Sequence, residues 1–166
     1  MTLIHAGEII DDTYPLVADD AAIPASGSAL IGWDRFEKEQ DALGDSRSRI
    51  GLLLPNTLDV AANIDPLLAA PLLVLQFPGF ADGRAYSQAR LLRDRYGYQG
   101  DLRATGQAVV LDQIGELLRC GFSSLHLRAD QDPQRCLAAF KAPSLRYQSA
   151  SDSVPVVRFG RRAISG

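Results

Sequence analysis

The sequence predicts an α/β fold, a mainly parallel sheet of about five strands with covering helices. Three observations carry this expectation. From residue 49 onward, short apolar runs alternate with segments of helical period, as repeated βαβ units require. Two of those segments gather apolar residues on one face: Ala85, Ala89, Leu92 and Tyr96, then Val110, Ile114, Leu117 and Leu118. Gly97 and Gly121 follow them where a left-handed cap is needed. A three-layer open sheet comes first, with a partial or distorted (β/α) barrel as the alternative, because both produce the same local pattern.

Taken in order, residues 1–20 read as short strands around the turn "DDTYP", and residues 21–29, "AAIPASGSA", as a connector of small and polar residues. In "LIGWDRFEKEQDALG", Trp33, Phe36 and Leu43 form a helical stripe closed by Gly44. "RIGLLLP" is an apolar run, and "LDVAANIDPLLAA" is helix-like but interrupted by Pro66. Strand "LLVLQF", helix "GRAYSQARLLRDRY" and strand "DLRAT" come next. Helix "QAVVLDQIGELLRC", strand "SLHLR" and helix "DPQRCLAAFKA" complete the rhythm. In "SLHLR", alternation puts Leu125 and Leu127 on one face and His126 on the other, towards a covering helix layer. The expected organisation is a single α/β domain: a less regular part over 1–48, repeated βα units over 49–148, and a tail over 149–166.

Composition narrows the function classes. A chain of 166 residues can bury about 70% of its unfolded surface, enough for a core without staples. A net charge of −3 argues against a nucleic-acid binder held by a general basic field. No apolar run is long enough for a membrane span, and the N-terminus lacks the pattern of a signal peptide, so the cytoplasm is the expected location. Two cysteines, Cys120 and Cys136, suit a reducing compartment and read as buried, inert thiols. His5 and His126 lack metal-ligand spacing, so no metal site is expected.

In a parallel sheet, ligands gather outside the carboxyl ends of the strands. Two such ends are "QFPGFADGR" and "RATGQ", and each leads into a helix start with unpaired N–H groups. Asp82, Gly83, Arg84, Thr105 and Gly106 are therefore the candidate anion- or ligand-binding residues. Arg84 sits in the first turn, where a cation opposes the helix dipole. It is either a solvated partner of Asp82 or an arginine whose planar fork holds an anion. Tyr86, Ser87, Arg90, Arg93 and Arg103 are candidates for lining the site or for docking a partner. Of these, Tyr86, Arg90 and Arg93 recur at i, i+4 and i+7.

The stretch "FPGFADGRAYSQARLLRDRYGYQGDLRATG", followed by "LDQIGELLRCGF", resembles a bacterial family of unknown function (domain of unknown function 934). Its members commonly carry the label of probable oxidoreductase involved in sulfite reduction. The resemblance spans about Leu72 to Leu127, and "DGRAYSQARLLRDRYGY" is its specific part. It implies a place in sulfur assimilation, beside sulfite reductase, rather than a defined reaction. This chain departs from the family pattern at Gly79, where lysine is frequent, and at Ser123, where aspartate is usual.

The oxidoreductase label finds no cofactor signature in these residues. The dinucleotide fingerprint is absent, because Gly79 and Gly83 have the wrong spacing, and two cysteines are too few for an iron–sulfur cluster. The cofactor is therefore left unassigned. The leading expectation is an accessory protein of sulfite reduction that recognises a small oxyanion or the sulfite reductase partner. The alternatives are an oxidoreductase with a bound flavin or nicotinamide, and a non-catalytic adaptor.

Overall fold

Chain order and strand order nearly coincide in the computed structural model, which describes residues 2–142. Seven strands form one sheet: β1 (Leu3–His5), β2 (Glu8–Ile10), β3 (Ala29–Gly32), β4 (Ile50–Leu54), β5 (Leu72–Phe77), β6 (Asp101–Gly106) and β7 (Ser124–His126). Their spatial order is β2-β1-β7-β6-β5-β4-β3. Strands β3 to β7 are parallel, β1 adds antiparallel to β7, and β2 antiparallel to β1, so the mainly parallel sheet expected has seven strands rather than about five. The part expected to be less regular supplies β1 and β2 at one edge and β3 at the other. Its first turn is Ala6–Gly7, both with positive φ, rather than "DDTYP". The tail over 149–166 lies outside the described residues.

Five helices follow: α1 (Trp33–Leu43), α2 (Ile64–Ala69), α3 (Arg84–Arg90), α4 (Ile114–Arg119) and α5 (Pro133–Lys141). Among the described residues no helix is long and apolar enough to cross a membrane. Local chemistry sets their limits. The Asp132 carboxylate accepts the N–H groups of Gln134 and Arg135, and Pro133 opens α5 where a missing N–H is harmless. Only the second half of "LDVAANIDPLLAA" is helical, because Asp59 accepts the N–H groups of Ala61 and Ala62 and holds the first half in turns. The helix expected from Gln107 begins later. Gly106 turns the chain at φ +108°, a 3₁₀ turn spans Leu111–Gln113, and α4 starts at Ile114. Helix α3 runs into a π turn over Leu91–Arg95 before Gly97, at φ +65°, ends it.

Every helix contributes to one apolar cluster, which holds Ile31, Leu52, Leu75, Ala104 and Leu125 of the sheet. Because β3 to β7 are laid down in one direction, right-handed crossovers put all their helices on the same face. The other sheet face carries Leu30, Leu72 and Val74, packed with Leu53 and Tyr14. Three layers result, and the third is the extended segment 11–17 rather than a set of helices. His126 accordingly faces that segment and not a helix layer.

The segment leaves β2 and ends at Leu16, which bridges Leu30 on the outer side of β3. On a flat sheet those edges would lie about 34 Å apart, at ~4.8 Å per strand step. The six residue steps from Ile10 to Leu16 reach only about 21 Å. The sheet therefore curls around the segment, helices outside, in the manner of a partial barrel.

Candidate functional site

The two strand exits expected to share a site do lie side by side. Gln76 pairs with Thr105, and Phe77 with Gly106, in parallel register. Gly106 is needed there: any Cβ would run into the Phe77 carbonyl.

The loop after β5 is closed on itself. Arg84 aims its fork at Asp82, with Nε 2.9 Å from Oδ1 and Nη2 2.6 Å from Oδ2. The Asp82 carboxylate also accepts the Arg84 backbone N–H and the amide of Asn56. These donors, the Arg84 side chain foremost, hold its carboxyl well below the usual range. Arg84 is 58% exposed and its bidentate face is filled by Asp82. The geometry is that of a solvated pair at a helix start.

The docking strip does not converge. Tyr86 donates its hydroxyl to Gln113 Oε1 at 3.1 Å and stacks edge-on against Phe77; burial pushes the phenol up to about 12. Ser87 is exposed, and exposed Arg90 pairs with Asp94. Arg93 turns away from the expected strip and binds the carbonyls of Gly121 (2.8 Å), Gly100 (3.0 Å) and Tyr98, fastening the loops that precede β6 and β7. The π turn accounts for this direction, because it shifts the helical register between Tyr86 and Arg93. Cys120 is buried, its thiol pushed up to about 11 by burial and by Glu116, and Cys136 is buried too.

Thr105 and Arg103 belong to a different feature, a cleft of about 310 Å³ between the helix-free sheet face and segment 11–17. Residues two apart on β6 share a face, so Arg103 and Thr105 both point into it. Register then fixes their neighbours: Gln76, Thr105 and His126 stand in one row across β5, β6 and β7, near the carboxyl ends of all three strands. None of these three side chains has a hydrogen-bond partner among the described residues. Beneath the row lies Arg103, 3% exposed, with Nη1 2.8 Å from Asp12 Oδ1. Its Nε reaches Ser124 Oγ at 3.3 Å and its Nη2 reaches Asp101 Oδ2 at 3.5 Å. Leu16, Leu30, Leu53, Val74 and Tyr14 form the apolar side of the cleft. Burial lowers the pKa of His126, against the pull of Asp12, so the imidazole is neutral at pH 7.

Of the residues singled out from the sequence, the cleft gathers Thr105 and Arg103; Asp82, Gly83, Arg84, Tyr86, Ser87, Arg90 and Arg93 are not part of its lining. Asp12, Tyr14 and Gln76 were not foreseen. A signal for Gln76 exists, since it is the one polar residue in "LLVLQF", and Thr105 and His126 recur near the ends of the next two strands. Segment 11–17 offered no comparable signal, because its partners are distant in sequence.

No curated protein and no solved structure matches the chain. Residues 51–157 match the family model described as bacterial protein of unknown function (DUF934), a stretch that includes the cleft walls on β4 to β7 but not segment 11–17. The chain belongs to that family.

Proposed function

We propose that this protein is a ligand-binding accessory of sulfite reduction, taking a small oxyanion-bearing molecule into the cleft at the carboxyl ends of β5, β6 and β7. The pathway rests on the labels that members of the family carry. The binding rests on one observation: three polar side chains in a single register row, none with a hydrogen-bond partner among the described residues, beside a buried arginine. Fully used structural side chains would be paired with one another, whereas donors and acceptors left open on a concave wall suit a ligand. The cleft's volume lies near the lower end of ligand sites, roughly 300–1,000 Å³, which favours a small molecule over a dinucleotide.

Titration of the isotope-labelled chain with sulfite, sulfate, flavin mononucleotide and small organic acids tests the reading. Resonances of Gln76, Thr105 and His126 are expected to move, and Thr105→Val to weaken binding several-fold while Arg84→Ala leaves it intact. Movement confined to Asp82–Arg84 would return the site to the helix start and overturn the assignment.

A further inference from the structure

We propose that the ligand is an organic acid with a compact apolar body, and that its acid group replaces Asp12 on Arg103. This deepens the cleft reading and rests on it. A guanidinium buried to 3% exposure requires an anionic partner, and its shortest charged contact comes from Asp12. Asp101, its neighbour on β6, stands farther off at 3.5 Å and is already engaged by the hydroxyls of Ser123 and Ser124. Asp12 is thus a carboxylate seated in the cleft by the chain itself, and it displays the chemistry that the seat accepts.

Several features make that carboxylate exchangeable. Asp12 is 29% exposed in its side chain, so the seat can be reached from solvent. Segment 11–17 is not a strand of the sheet, and its backbone is tied down at its far end, through Val17 to Leu30 and Leu30 to Pro15, both at 2.9 Å. One carboxylate replacing another leaves the charge around Arg103 unchanged, so the exchange avoids the cost of an unpaired buried cation. The remainder of the cleft defines the ligand's body. Leu30, Leu53 and Val74 face one side of it, and Gln76, Thr105 and His126 can bind polar substituents on the other. An inorganic oxyanion would satisfy the arginine and leave the apolar side unfilled.

An intramolecular carboxylate competes at an effective concentration of order millimolar. Removing its charge should therefore raise affinity for an acid probe. The experiment compares the full chain with its Asp12→Asn variant, using hexanoate, hexanamide and sulfate as probes, read by thermal shift and by resonances of the cleft. Hexanoate is expected to bind the variant at least tenfold more tightly than the parent and to restore the variant's melting temperature; hexanamide and sulfate should do neither. Gln76→Leu, which leaves Arg103 and its partners in place, should weaken binding of a hydroxylated acid such as 3-hydroxybutyrate more than that of hexanoate. Sulfate matching hexanoate, or equal hexanoate affinity in variant and parent, overturns the organic-acid inference while cleft resonances that still move uphold the cleft. Cleft resonances that respond to no probe sink both. Contacts between the cleft and residues 143–166 in the full chain would assign the seat to the protein's own tail and overturn the inference as well.

Discussion

At φ +108°, and with the Phe77 carbonyl where a Cβ would stand, Gly106 is the residue on which the pairing of β5 and β6 turns into the next unit. Gly106→Ala should cost about 2–4 kcal/mol, through the disfavoured backbone and the collision together. Gly79 meets nothing within 4 Å, so Gly79→Ala should leave the urea midpoint nearly unmoved. Equal losses at both positions would contradict the geometry. His126 yields a prediction in pH. Its pKa is depressed below the ordinary 6.5 in the folded chain, so the unfolded chain protonates first. The stability it contributes is whole above pH 6.5 and is lost as the pH falls through the depressed value. In His126→Gln that slope below about pH 6.5 should shrink. Sequence alternation already turned His126 away from Leu125 and Leu127; what it faces depends on residues more than a hundred positions away.

The elements divide according to how local their causes are. Helix α5 is legible because Asp132, Pro133 and its apolar positions are neighbours in sequence. Helix α3 is legible as far as Arg90, since Ala85 and Ala89 are both fully buried. Beyond that point the π turn redirects Arg93, and no periodicity argument assuming 3.6 residues per turn could foresee it. Arg84, at the start of α3, and Arg93, in the π turn beyond it, therefore have opposite standing. Arg93→Ala strands three carbonyls at the amino ends of β6 and β7, and should cost roughly 3 kcal/mol in urea unfolding. Arg84→Ala, on an exposed pair, should leave the midpoint essentially where it was. A reversal of that ranking would show that the loop after β5, rather than the π turn, holds the constrained arginine.

For the molecule as a whole, segment 11–17 takes the place of helices on the inner face of a curled sheet. Tyr14 packs there with Leu30, Leu53, Leu72 and Val74, while Gly51 leaves room for Leu72 to close beside it. Tyr14→Ala should lower stability by about 2 kcal/mol and raise the fluorescence of an apolar dye, because it uncovers that face. Unchanged dye binding would mean that the segment does not seal the inner face. Cleft cover and stability are coupled through this segment, since the residues that cover the cleft also supply the partner of Arg103.

By itself the sequence determined the α/β class, the helical faces and the alternation of the strands, because each follows from side chains a few residues apart along the chain. It also placed the exits of β5 and β6 together. The tertiary structure alone decided that the strands are laid down in one direction, that the sheet curls, and that Asp12 meets Arg103 across 91 positions. Those outcomes depend on crossover handedness and on which distant segment covers the open face, and no local pattern encodes either.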